Sequence, residues 1–345
     1  MPVNESEHPP GRLAGRLGTA LAVAATVLAG VGVATQSRVN GELGQRFDDG
    51  FTAALVSFSS GWVLLLVIVL STRRGRAAVR RIPAALRAGE LPWWMLLGGA
   101  AGGFFVLSQG LVAGILGVAI FTVALVSGQT VTGMVADARG FAGARVTPPT
   151  LARLSGAALT VLAVAVAVAV AGDLGGSIPW PALILPLLAG VGAGMQQAMN
   201  GRVRQVSGSP LAATLVNFTV GTAALLVVTV ASLAVNGLPA PPPTEAYLYT
   251  GGAIGVVFIA IQAAAVARVG VLLLGMCLVL GQLMAAVVFD SVAAIGPALQ
   301  PQTVAAVVLT AVGIVVATLD RWRRPRTVLA TSPAQGSAGP TPRRR

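Results

Sequence analysis

Apolar stretches of about membrane length recur from one end of the chain to the other, separated by short polar breaks. They fall at about 15–36, 51–71, 92–112, 116–136, 150–171, 181–200, 211–234, 246–266, 270–289 and 302–320. A spanning helix needs roughly 20 apolar residues. A backbone in lipid must also satisfy its own hydrogen bonds, so the pattern predicts ten transmembrane helices. The third and fourth form one nearly unbroken apolar run from Trp93 to Ala136, expected to turn at Gly110–Gly117. The eighth and ninth are expected to turn at Arg268–Gly270. Asp49 and Ser209 precede the second and seventh stretches as N-caps, with Pro210 in the first turn of the latter.

The pattern is duplicated. Residues 29–67 laid over 189–227 match at 16 of 39 positions, and 98–137 over 251–290 at 14 of 40. Polar identities within apolar spans carry the signal: Gln36 with Gln196, Asn40 with Asn200, Gln109 with Gln262, Gln129 with Gln282, Asp137 with Asp290. Each copy holds five spans, an odd number, so the second copy must enter the bilayer upside down. The expected fold is an all-α polytopic membrane protein of two inverted five-helix repeats, residues 15–171 and 172–326, between tails at 1–14 and 327–345. The tails are rich in charged, Pro, Ser and Gly residues, a composition that predicts disorder. Inverted repeats build carriers that rock about a midplane site, exposing it to one side and then the other.

Charge fixes the expected orientation. The chain is 55% hydrophobic and 10% charged, with mean hydropathy +0.82, which excludes a soluble globular protein. Its net charge of +12 comes from arginine alone, without a single lysine. With the N-terminus inside, 21 of the 23 arginines lie on the cytoplasmic side, and only Arg38 and Arg46 lie outside. That split predicts N-in and C-in termini in the cell's cytoplasmic membrane, with the first span retained. The charge therefore reads as topology rather than nucleic-acid binding. Its partners would be anionic headgroups at the cytoplasmic arginine clusters, including Arg343–Arg345. Trp93, Trp94, Trp180, Tyr247 and Trp322 fall at helix ends, as interfacial rings should, while Trp62 lies inside the second helix.

The inventory of reactive groups is thin. Cys277 is the only cysteine and His8 the only histidine, so no disulfide, metal centre, cofactor or histidine chemistry is expected. No Asp, Glu, His or Arg falls in the middle of a span. An enzyme is not expected, nor a carrier of compact multivalent cations, which would want a buried carboxylate. A small neutral, zwitterionic or amphipathic solute fits better. The alternative is a non-transporting scaffold or regulatory protein. Ten helices can enclose a path alone, so a monomer or homodimer suffices.

Gln36 and Asn40, like Gln196 and Asn200, lie four apart and share a helix face. Buried amides are costly without partners; they either bond to one another between helices or line a polar path. Gln109, Gln262, Gln129 and Gln282 lie deeper and are the leading candidates for solute contact, joined by Gln36, Gln196, Ser57 and Asn217. Asn40 and Asn200 sit toward opposite mouths, as gate residues would. Asp137 and Asp290 end the fourth and ninth helices, where a carboxylate opposes the helix dipole. They are either structural, Asp137 pairing with Arg139 or Arg145, or gating and ion-coupling groups. Gly98, Gly99, Gly102 and Gly103, matched by Gly251, Gly252 and Gly255, allow close helix approach.

Four runs carry a family resemblance: Ala29–Gln36 followed by Asn40-Gly41; AGVGAGMQQAMNGRV with GSPLAATLVNFTVG, the latter at Gly208–Gly221; Ser127-Gly128-Gln129 leading to Asp137; and LVLGQLMAAVVFD at Leu278–Asp290. Over about residues 15–320 the chain resembles the YdcZ-like branch of the drug/metabolite transporter superfamily, in its fused ten-helix form. The resemblance implies an inner-membrane exporter and does not specify a substrate. Copy one departs from the motif, with Asp48-Asp49-Gly50 where copy two has Gly208-Ser209-Pro210, and Ser57 in place of Asn217.

Overall fold

The structure, a computed structural model, describes residues 10–143, 146, 148–171 and 183–292, with scattered helical positions between 305 and 316. Most of the expected tenth helix, and the tails at 1–9 and 327–345, lie outside the described residues. Among the described residues there are nine α-helices and no strand: α1 Pro10–Phe47, α2 Gly50–Ser71, α3 Arg73–Arg87, α4 Gly98–Arg139, α5 Leu151–Ala171, α6 Ile184–Ser207, α7 Pro210–Asn236, α8 Gly251–Val269 and α9 Val271–Val292. Four stretches are long and apolar enough to cross a membrane: Leu17–Phe47, Gly50–Ser71, Pro210–Asn236 and Ala246–Val269. Leu28, Val67, Val227 and Val257 point outward and exposed, a surface suited to lipid rather than water.

The helix starts follow local rules. Asp49 accepts from the N–H groups of Phe51 (3.0 Å) and Thr52 (3.1 Å), and Ser209 from that of Ala212 (3.3 Å), as their cap positions predict. Two helices run further than the apolar pattern does. α1 continues to Phe47, with Leu43 and Phe47 buried and Glu42 and Arg46 paired across one turn at 3.6 Å. Arg38, Asn40 and Glu42, expected at or beyond a helix end, therefore lie on a helix. The arginine-rich segment expected to be a loop forms α3, which buries Ala78, Ile82 and Ala85. Its counterpart after α7, residues 237–245, is extended and proline-rich.

Helical structure is unbroken from Gly98 to Arg139, so the expected turn at Gly110–Gly117 is not a loop. The chain nevertheless reverses there. A Cβ on Gly192 would stand 3.2 Å from Ala101, and one on Gly194 2.9 Å from Thr132. In a straight helix those two α4 residues would lie about 46 Å apart. The rings of Trp94 and Phe141 also meet at 5.7 Å. α4 is thus two arms folded together, as the separate α8 and α9 are about Gly270, whose φ is +81°.

Contacts between the two halves recur at the offsets of the sequence repeat. A Cβ on Gly30 of α1 would stand 2.1 Å from the carbonyl oxygen of Leu278 on α9, and one on Gly190 of α6 1.9 Å from that of Leu125 on α4. These positions are paired in the repeat, Gly30 with Gly190 and Leu125 with Leu278. Only glycine allows backbones to cross this closely. The Phe58 and Phe218 rings, another pair, stack across α2 and α7 at 4.9 Å.

Candidate functional site

A cavity of about 50 Å3 lies where the two halves meet, walled by α1, α2, the arms of α4, α6, α7, α8 and α9. It has room for a few waters. Gln36 and Gln196 face it, as do Gln129 and Gln282, each a pair at equivalent positions of the repeat. So do two pairs of rings, Phe58 with Phe218 and Phe105 with Phe258. Two further lining residues, Gln197 and Gln262, have counterparts, Ser37 and Gln109, that do not line it. Among the described residues, the lining contains no Asp, Glu, His or Arg.

The amides are buried and incompletely used. Gln36, Gln129, Gln196, Gln197 and Gln262 are each no more than 7% exposed. Gln36 donates through Nε2 to the Gly251 carbonyl at 2.8 Å, which leaves its Oε1 without a protein partner. Gln129 Nε2, Gln196 Nε2 and Gln197 Oε1 are likewise unpartnered. A buried polar group left unsatisfied costs about 1–3 kcal/mol, and such groups in a folded protein call for an explanation. All four belong to glutamines that line one cavity.

The remaining candidates lie around this centre. Gln109 donates to the Ser37 hydroxyl. Asn40 sits against Gly251, so close that a Cβ there would be 2.1 Å from Asn40 Oδ1, and neither amide atom of Asn40 has a partner. Its counterpart Asn200 stands 3.5 Å from the equivalent point on Gly98, and accepts from Asn217 Nδ2 at 3.3 Å. Ser57, where copy two has Asn217, is buried with an unpartnered hydroxyl.

Asp137 is only 2% exposed and lies away from the cavity. Of the two expected partners, Arg145 lies outside the described residues and Arg139 does not pair with Asp137. Arg139 is exposed; instead α5 brings Arg153 back to pair with the carboxylate. The same group accepts from the backbone N–H groups of Val271 (2.8 Å) and Leu272 (3.3 Å). It therefore opposes the dipole of its own helix but caps the N-terminus of α9, where negative charge is stabilised. The side chain of Asp290 lies outside the described residues.

Position in the sequence missed Gln197 and the four phenylalanines. The rings had a signal, since both pairs are identities of the repeat. Gln197 had none, because its counterpart is a serine. Trp62, out of place for an interfacial ring, donates through Nε1 to Thr219 at 3.0 Å and ties α2 to α7.

Residues 21–166 and 181–316 each match the profile of a family described as "Putative inner membrane exporter, YdcZ". No curated protein matches the chain. Among solved structures, one described only as a crystal structure of a protein is 18% identical, with a TM-score of 0.63 over 89% of this chain and 99% of its own. At that identity the likeness concerns the fold alone.

Proposed function

The chain belongs to the YdcZ family of inner membrane exporters of the drug/metabolite transporter class, and from that premise we propose a secondary carrier for a small uncharged, zwitterionic or amphipathic solute, working by alternating access. Two five-helix halves of opposite orientation, about 15–171 and 172–326, would rock about the amide-lined cavity. One observation carries the reading. The cavity lies between the halves, and its Gln36/Gln196, Gln129/Gln282, Phe58/Phe218 and Phe105/Phe258 walls are repeat pairs, so either half can be the moving one. The glycine crossings at Gly30 and Gly190 are also equally tight, which supports an occluded state between the two open forms.

Asn40 and Asn200 would then be gate residues at opposite ends, and the exposed arginines of α3 would rest on anionic headgroups. Two experiments test the proposal. Purified protein in liposomes is expected to move at least one member of a broad solute panel faster than protein-free vesicles do. A panel without any protein-dependent flux overturns the carrier. Single cysteines at Arg74 and Thr244, both exposed, are expected to label from opposite sides of the membrane. Labelling from one side overturns the inverted halves.

A further inference from the structure

The composition of the cavity wall limits what it can hold. Without a charged side chain among the described residues of the lining, an ammonium or carboxylate would enter without a counter-charge there, at a cost that amides only partly offset. The four phenylalanines present flat apolar faces from both halves, suited to a planar ring. The unpartnered polar atoms are of both kinds: acceptors at Gln36 Oε1 and Gln197 Oε1, donors at Gln129 Nε2 and Gln196 Nε2. A primary amide places a donor and an acceptor side by side, and pairs best with an edge that does the same.

The wall is also unequal between the halves. Its paired glutamines leave different atoms open, Gln36 an acceptor and Gln196 a donor. Gln197 and Gln262 add lining residues that only the second half contributes. On the other half their counterparts, Ser37 and Gln109, hydrogen-bond to each other and leave the cavity. Gln197 lines the cavity and keeps a buried, unsatisfied acceptor.

We propose that this cavity, widened in one of the carrier's open forms beyond the few waters it now admits, takes an uncharged planar solute with an amide-type edge, a hydrogen-bond donor beside an acceptor on a heteroaromatic or lactam ring, and that Gln197 and Gln262 set its orientation. The proposal rests on the carrier reading for the site's role, but its binding test stands apart from flux. Probes are uracil, adenine and nicotinamide, against 1,3-dimethyluracil, which lacks the donors, and tetramethylammonium and benzoate, which are charged.

Binding to the purified full chain is measured by calorimetry. At least one of the three rings is expected to bind ten-fold or more tighter than any of the comparators. Gln197→Ala and Gln262→Ala should each weaken that ring ten-fold or more, while Ser37→Ala, at the counterpart of Gln197, changes it less than three-fold. Thermal midpoints within a few degrees of wild type show that each variant folds.

Charged comparators binding as tightly as the rings, failure of all three rings, or no loss in the folded Gln197→Ala and Gln262→Ala proteins would each overturn the proposal. Flux separates it from the carrier reading. Liposomes that move charged solutes and no ring sink the proposal and leave the carrier standing. A ring that binds but is never moved does the reverse.

Discussion

The cluster around Gln36, Asn40 and Gly251 and the one around Gln196, Asn200 and Gly98 are built from equivalent positions, and their backbones pack almost alike. A Cβ on Gly255 would stand 2.6 Å from Gln36 Nε2, and one on Gly102 2.4 Å from Gln196 Nε2. Their polar groups are spent differently. In the first, Gln36 donates to a backbone carbonyl and Asn40 is left unpaired against Gly251. In the second, Asn217 takes up the Asn200 oxygen, and Gln196 Nε2 is left without a partner. One substitution accounts for much of this, because Ser57 is too short to do for Asn40 what Asn217 does for Asn200. On the carrier reading, the backbone symmetry would serve a scaffold that works from both sides, and the side-chain differences would distinguish one end of a guest from the other.

The largest expected effect lies at Asp137. Asp137→Ala removes the partner of Arg153, whose side chain is 11% exposed, and uncaps α9. Breaking a buried pair costs about 3–5 kcal/mol. Loss of monodisperse protein, or a sharply lower thermal midpoint, is expected; a midpoint unchanged from wild type would remove Asp137 from the structural account.

The glycine crossings come next, and they test the equality rather than the difference. Gly30→Val and Gly190→Val each force a side chain against a backbone oxygen, at an overpacking cost of about 1–3 kcal/mol. That amounts to a midpoint roughly 2–12 °C lower in each. Both are expected to fall by similar amounts. If one variant is tolerated and the other unfolds, the two halves are not packed as equivalents.

How much of this was legible in the sequence follows from what the repeat could mark. Glutamines matched between copies led to a cavity that contains Gln36, Gln129, Gln196, Gln262 and Gln282. The caps at Asp49 and Ser209 were legible because they depend only on neighbours in sequence. α3 was not, since six arginines mask three buried apolar positions spaced as a helix face. The extension of α1 through Arg38, Glu42 and Arg46 was hidden for the same reason: charge density reads as loop, and hydropathy does not register an ion pair across one turn. The partner of Asp137 depends on how α5 returns to the bundle, and no local pattern encodes that. Gln197 shows the limit of reading by repetition, because what matters there is the residue that differs.

The smallest effect expected is the most direct test of how that difference arises. Asn217→Ser makes copy two resemble copy one, and it should release Asn200 at a cost of about 1 kcal/mol, the net worth of a typical hydrogen bond. Ser57→Asn does the opposite, offering Asn40 an amide partner where both its polar atoms are now unsatisfied. It should raise the midpoint slightly if the pocket beside Gly251 admits the extra atoms. The two changes in one chain should then add, because residues 57 and 217 sit beside different asparagines and belong to different clusters. A double variant well below the sum of the single ones would mean that the clusters communicate. The gate candidates Asn40 and Asn200 would then report on each other across the cavity, and the two ends could not be treated as separate copies of one design.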